Sequence, residues 1–560
     1  MAKKNKKESP RDIKKTKLKI GFLGGVGEIG KNMTVLEFGD DIIIVDCGLT
    51  FPNFEETPGI EAVIPDYTYI LENKNKVKGI FVTHGHEDHI GGLPYLLKEI
   101  KVPVYASNIA LGILESKLSE AKVKNIKMYT VSNRSVFEVG NFKIEFIRVT
   151  HSIAGSYALS ITTPKGVIVM TGDFKIDHTP IDGQNTDLTR LAEIGNKGVL
   201  LLMMDSTNVE RPGYSMSEKN VYKALEAQFE INKDKRIIVS TFASNIHRVQ
   251  QIINVAISHG RKICFLGRSM IKIAEIAKDL GELKYNYDYI LEPNELEDVP
   301  YDRLCIICTG TQGEPRAALT RMSKDDFKGV KISDIDTVLF SASAIPGNER
   351  TIYDVINELS KRGAEVVYQA LAEIHVSGHS CQEELKLMFA LLKPKYFIPM
   401  HGEYRHLLKH KELAIDMGVL PNNIYLPDIG CQIEIEKRGI KVLSKIKSGE
   451  FFVDGKNLVS DTDELMATRK IMANEGLIIA VVTIGIDELG YAYEPEIICE
   501  GIIIPNDVLL MLKNDIMAVI AQGDIQNLDE EGAKDLIKRM IIKKMRKALD
   551  KFPIVIPILK

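Results

Sequence analysis

Short apolar runs separated by polar turns dominate the N-terminal part of the chain. Residues 18–23, 33–38 and 42–46 read as strands, with Gly39, Asp40 and Asp41 as the turn between the last two. Gly25, Gly27 and Gly30 spell GxGxxG ahead of the second strand. A dinucleotide site needs a helix at that point. Further strands follow instead, so these glycines are expected as turn and bulge residues of an antiparallel run. Residues 80–83, 167–171 and 199–204 read as more strands, the last two apolar enough to be buried on both faces, and 92–99 opens a helix. After about residue 217 the pattern lengthens. Apolar strands at 237–240, 262–266, 305–308 and 337–341 alternate with amphipathic helices, which predicts a parallel sheet with crossover helices. Residues 460–560 read as a separate small α+β unit, with strands at 477–483, 496–500 and 554–559 and helices near 507–521 and 533–550.

Composition adds bounds. A chain of 560 residues is too long for one core, so two to four units are expected. An apolar share of 45% and a charged share of 26% are ordinary for a globular protein without membrane spans, and no run of about 18 apolar residues occurs. The net charge of −4 advertises no global basic field, although a local basic groove would suffice for nucleic acid. Seven scattered cysteines read as reduced thiols in a cytoplasmic protein. Cys305 and Cys308 spell CxxC inside an apolar run with no second pair nearby, so buried strand thiols are expected rather than a metal site. The lysine-rich residues 1–17 have no apolar core, so no secretory signal is expected there. They read as a flexible solubilising tail, or as a basic arm touching RNA phosphates.

The chemistry concentrates at His84-Gly85-His86-Glu87-Asp88-His89, directly after a predicted strand. Imidazoles and a carboxylate crowded into six residues suit zinc or manganese. Two metals need further ligands, one of them a bridging carboxylate. Candidates stand at the ends of other apolar strands: His151, Asp173 and His401. His178, His247, His259, His406 and His410 read as ordinary helix or loop residues, His247 excepted below.

These residues resemble the β-CASP branch of the metallo-β-lactamase nucleases, and within it the bacterial ribonuclease J group, over essentially the whole chain. HGHEDHIGG at 84–92, His151, Asp173, Asp205, the HVSGH segment 375–379 and His401-Gly402-Glu403-Tyr404 match the family's motifs. The resemblance implies a metallo-β-lactamase αββα sandwich (18–217 and 379–455), an inserted β-CASP α/β domain (218–378), and a linker with a C-terminal α+β domain (456–560). It implies two divalent ions, zinc with manganese as the alternative. His84, His86 and His151 would hold one, Asp88, His89 and His401 the other, and Asp173 would bridge. Asp205 and His379 would form a proton-transfer pair. A 5′-monophosphate pocket would be built from His375, Val376, Ser377, Gly378 and His379, with Ser341, Ser343, Ser244, Asn245 and His247 contributing. Small hydroxyl residues and glycine suit phosphate, although a capped helix start at Ser244 competes there.

The expected function is a 5′–3′ exo- and endoribonuclease of mRNA decay and rRNA maturation. Expected partners are RNA with a 5′-monophosphate end, a second copy in a homodimer or homotetramer, and RNA-degradation complex proteins; no membrane partner is expected. A glyoxalase-type thioesterase or β-lactamase is disfavoured by the large insert between Asp205 and His375. A DNA-directed nuclease and a non-catalytic scaffold stay open at this stage.

Overall fold

The structure is a computed structural model. It describes residues 16–560 apart from 53–56, 343–347, 369–373, 375, 437–438, 461–463, 487, 489–490, 524 and 526–527, so Ser343 and His375 lie outside the described residues. The chain divides into two compact units, one formed by Met1–Thr50 with Ile64–Gly449, the other by Phe51–Val63 with Glu450–Lys560.

The first unit contains two facing sheets. One has eight strands, with Leu18–Gly24, Met33–Phe38 and Asp41–Val45 antiparallel at its centre and Val77–Phe81 added in parallel. The other has six, in which Gly166–Met170, Leu201–Asp205 and Tyr396–Met400 lie side by side in parallel. Alternation along each strand explains their uniform apolarity. Ile168, Met170, Leu201 and Met203 point into the layer between the sheets, with Phe22, Phe38 and Phe81 facing them. Their neighbours Val169, Leu202 and Met204 pack outward on helices carrying Leu191, Leu385, Met388 and Leu413. Such strands must be apolar on both faces. The GxGxxG glycines all adopt positive φ (76°, 72° and 102°) and lead into a strand, not a helix.

Between the strands ending at Asp205 and beginning at Tyr396 the chain builds a six-stranded sheet. Its centre is Arg236–Ser240, paired in parallel with Leu304–Cys308 and Asp336–Phe340. The helices Ile246–Ser258, Arg268–Asp279 and Glu349–Lys361 come in alternation with these strands. This is the expected inserted α/β layer.

In the second unit the three strands Glu496–Glu500, Leu477–Val482 and Ile554–Leu559 form a sheet. Ile478, Ala480 and Val482 pack on Leu512, Ile516, Ile520, Ile537 and Ile541 from the helices Asn506–Ala521 and Glu530–Leu549. A second small sheet joins Ala62–Pro65 to Glu450–Asp454 and Asn457–Ser460, and Ile60, Val63, Phe452, Val459 and Met466 form its core. The sequence pattern had not linked 51–63 to this unit. No helix among the described residues is long and apolar enough to cross a membrane.

Candidate metal centre

Each predicted metal residue stands just past a strand end or on the loop after it, all at one edge of the two facing sheets. After Val77–Phe81 come Thr83, His84 and His86, then the short helix Glu87–Ile90 carrying Asp88 and His89. The backbone of 87–89 is pinned from outside: Asn32 N, Cys47 N and Leu49 N donate to the carbonyls of Asp88, His89 and Glu87 at 3.0, 2.9 and 3.0 Å. His401 follows Tyr396–Met400 in a left-handed conformation (φ 50°), uncommon for a residue with a side chain. Its N–H donates to the Gly25 carbonyl at 2.8 Å, so the glycine turn props this residue instead of cradling a dinucleotide.

The predicted metal ligands converge in two overlapping groups, and a third group, Asp173, Asp205, His379 and His401, overlaps both. His84 Nε2 and His151 Nε2 each lie 3.1 Å from His86 Nδ1. Zinc–nitrogen bonds of about 2.0–2.1 Å in tetrahedral geometry put ligand atoms about 3.3 Å apart, close to this spacing. In the second group His401 Nε2 is 3.0 Å and His89 Nε2 3.5 Å from Asp88 Oδ2. Asp173 belongs to both. Its Oδ2 is 3.7, 3.8 and 3.4 Å from His84, His151 and His89, while its buried Oδ1 lies 3.5 Å from His401 Nδ1 and has no hydrogen-bond partner among the described residues. A carboxylate left in that state suits a bridging cation ligand.

The far ring nitrogens are committed, which fixes the tautomers. His151 Nδ1 donates to the Gly378 carbonyl at 2.7 Å and His89 Nδ1 to Asp46 Oδ2 at 2.8 Å. His84 Nδ1 faces Thr83 Oγ1 at 3.1 Å, and that hydroxyl donates to Asp46 Oδ2 at 2.8 Å. His401 Nδ1 faces Thr207 Oγ1 at 2.9 Å. The Nε2 atoms of His84, His89 and His151 therefore face inward, as a metal requires. Burial pushes His84 and His151 well below the usual imidazole range and His86 down to about 4, so these three are neutral donors. Burial also opposes charge on His89 and His401, but Asp173 and Asp88 outweigh it and raise both. The donor set thus fits divalent ions.

Beside the centre, His379 Nδ1 is 2.8 Å from Asp205 Oδ2, and Asp205 Oδ1 accepts from Thr207 N and Oγ1 at 2.9 and 2.8 Å. Burial lowers His379, yet Asp205 outweighs it and the imidazole is raised. Ser377 Oγ accepts from Asn208 Nδ2 at 2.7 Å and from His379 N at 3.2 Å. Gly378 has no room for a side chain: a Cβ would stand 2.7 Å from His151 Cε1 and 2.9 Å from Ser152 Oγ. Val376 is buried beneath this loop.

Other predicted phosphate residues have different partners. Asn245, not Ser244, caps the helix Ile246–Ser258, its side chain accepting from Arg248 N at 3.1 Å. Ser341 Oγ accepts from Arg248 Nη1 and donates to the Ile374 carbonyl, both at 2.6 Å. Ser244 is half-buried; His247 Nε2 lies 3.7 Å from Asp182 Oδ2, in a cleft that His151 also lines. His410 is buried between Phe389 and Phe397 with its Nδ1 2.9 Å from Ser206 Oγ, and burial drives it down to about 3, a packing role. Sequence reasoning missed Asn32, Asp46, Thr83, Thr207 and Asn208, all of which touch the candidate ligands or the 377–379 loop.

Comparison with known proteins shows the family. Residues 26–185 match the metallo-β-lactamase superfamily, 234–359 the ribonuclease J β-CASP domain, 363–427 the Zn-dependent metallo-hydrolase RNA specificity domain, and 464–560 the ribonuclease J C-terminal domain. Ribonuclease J of Helicobacter pylori is 41% identical over 95% of this chain and 78% of its own length. Ribonuclease J of Thermus thermophilus is 39% identical over 96% and 94%, and ribonuclease J2 of Bacillus subtilis 36% identical over 97% and 98%. The chain belongs to the ribonuclease J family. Its domains are those of a metal-dependent ribonuclease acting on RNA. A protein of unknown function from Enterococcus faecalis, 19% identical, superposes with a TM-score of 0.52 over 75% of this chain and all of its own, a likeness of fold alone. The metallo-hydrolase descriptions of the matching domains agree with the His/Asp groups that meet at Asp173.

Proposed function

We propose that this ribonuclease uses two divalent ions, zinc or alternatively manganese, held by His84, His86 and His151 on one side and Asp88, His89 and His401 on the other, with Asp173 between them. The observation that carries this reading is the sharing of Asp173 by both groups. Bound there, the ions would supply a nucleophilic water near neutral pH and neutralise charge on the phosphoryl oxygens. The side chains do the rest. His379, hydrogen-bonded to Asp205, which raises its imidazole, would donate to the leaving 3′ oxygen. Thr207 and His401 hold Asp205 in place.

The same loop is our candidate for the 5′-monophosphate pocket that sets the register of one-nucleotide, 5′–3′ steps alongside internal cleavage. Ser377 supports this: its oxygen already accepts two hydrogen bonds, and among the described residues its proton has no acceptor, so it can donate to a phosphate oxygen. Ser244 and His247 are candidate flanking contacts, whereas Ser341 and Asn245 act from beneath. His375 and Ser343 keep the role the resemblance implies. We further infer a cytoplasmic homodimer or tetramer, assembled through the C-terminal unit, that takes part in mRNA decay and rRNA maturation with degradation-complex partners.

The test compares one RNA sequence with 5′-monophosphate, 5′-triphosphate or 5′-hydroxyl ends. The monophosphate form is expected to be degraded much faster. Equal rates on all three would remove the pocket assignment.

A further inference from the structure

Four charged side chains lie buried beside the metal loops and have no part in the chemistry above: Lys175, Asp177, Glu218 and Arg248. Lys175 and Asp177 follow Asp173 in sequence; Glu218 opens the helix Glu218–Ile231, and Arg248 sits on Ile246–Ser258. Arg248 is fully enclosed. Its Nη2 donates to Glu218 Oε2 at 2.7 Å, and its Nη1 donates to Ser341 Oγ at 2.6 Å and to the Ile374 carbonyl at 2.8 Å. Ser341 closes a triangle by donating to that same carbonyl. On the other side, Glu218 N donates to Asp177 Oδ2 at 3.0 Å, and Lys175 Nζ, 3.8 Å from that oxygen, donates to the Met216 carbonyl at 3.1 Å.

Stability does not explain such a cluster. Desolvation offsets most of the attraction within a buried ion pair, and apolar side chains of similar volume would fill the space at lower cost. What apolar side chains cannot do is hold several acceptors at fixed directions, which the guanidinium fork does. The acceptor that matters is Ile374. It stands two residues before Val376, at the entry to the loop whose Gly378 carbonyl orients His151 and whose His379 pairs with Asp205.

We propose that Arg248 is a positioning residue for the reaction: by holding Ile374 it sets where the 376–379 loop lies, and through Glu218 and Asp177 it ties that position to the segment following the bridging Asp173. This deepens the reading of 376–379 as the loop that handles phosphate and proton, and rests on it. The cluster makes the inserted sheet and the metal loops one rigid frame at the point of cleavage.

Arg248→Met alone would leave Glu218 buried opposite an apolar group and would unfold the region, so the charge-balanced Arg248→Met/Glu218→Gln variant is the one to measure. Arg248→Lys is made beside it. The full-length proteins are assayed well below their thermal midpoints on 5′-monophosphate and 5′-hydroxyl RNA, with metal content determined in parallel. The double variant is expected to keep its metal and its folded spectrum while kcat falls about 10²-fold, the scale of a small misplacement of reacting groups. KM is expected to rise for the monophosphate RNA and not for the hydroxyl RNA. Lysine should restore kcat only in part, since one ammonium cannot reproduce the fork. Parent-like kcat and KM in the double variant, or a loss that merely follows metal content or melting, would overturn the proposal. Equal parental rates on the two RNA ends would remove the phosphate pocket alone, because kcat still reports His379 on the same loop.

Discussion

Asp46 is not placed to bind a metal itself, because its carboxylate is spent on Thr83 N, Thr83 Oγ1 and His89 Nδ1. It adopts φ 59°, a left-handed conformation few side chains take, and is held there by the surrounding bonds. Removing such an outer partner typically costs about 10–100-fold in metal affinity. Asp46→Ala is therefore expected to bind metal that much more weakly in chelator competition while keeping its secondary structure; parental affinity would mean His89 is oriented without it. Gly378→Ala tests the other flank. Its methyl would press on His151 and Ser152, so turnover should fall by far more than the modest drop in thermal midpoint that such overpacking causes. A fully active Gly378→Ala enzyme would show that the loop has slack. Four of the candidate ligands, His84, His151, Asp173 and His401, were legible as a histidine or aspartate within three residues of the end of an apolar strand, and His86, Asp88 and His89 by their spacing after His84. Asp46 carried the same signal at the end of Asp41–Val45, but a histidine motif draws attention that a lone aspartate does not. Thr207 and Asn32 carried none, since only the fold brings them against His401 and His89 from 194 and 57 residues away, and Thr83, though next to His84, is one threonine among many.

At the scale of elements, strands buried on both faces announce themselves: those expected at 33–38, 167–171, 237–240, 262–266, 305–308 and 337–341 lie within a residue of their observed bounds, whereas 80–83 begins three residues earlier at Val77 and Val104–Ala106 and Tyr157–Thr163 were not read at all. The failures are informative. Ala62–Pro65 has four residues, and its partner strands lie almost four hundred residues away, so no local pattern could pair it. The helix start near Ser244 was shifted by one because serine and asparagine are equally good caps, and the Asn245 side chain alone reaches Arg248 N. The CxxC spelling resolves as expected: Cys305 and Cys308 lie within the strand Leu304–Cys308, and burial pushes both thiols up to about 12. Thiolate is the reactive form, so iodoacetamide at pH 8 should leave Cys264, Cys305 and Cys308 unmodified until denaturant is added. Rapid native labelling of any of the three, read by peptide mass mapping, would contradict a closed sheet.

At the scale of the molecule, the resemblance implied a linker and C-terminal domain confined to 456–560, but the second compact unit also takes Phe51–Val63 from the N-terminal part of the chain. Ile60 and Val63 share a core with Phe452, Val459 and Met466, so a chain ending at 449 would leave them uncovered. That segment begins only three residues after Gly48, whose lack of a side chain admits the Asp88 carbonyl and whose N–H bonds to Asn32. The same backbone carries Cys47 N and Leu49 N onto the carbonyls of His89 and Glu87. Truncation at 449 is therefore expected to do two things at once. If the C-terminal unit assembles the oligomer, light scattering will show a smaller species. Independently, loosening 51–63 should weaken metal retention, seen as faster loss to a chelator than in the full chain. A third protein separates the effects: one also carrying Ile60→Ser and Val63→Ser should lose the exposed apolar pair without regaining metal affinity. If the truncated chain keeps its metal as tightly as the parent, the segment is a passive connection and the unit's contribution is assembly alone.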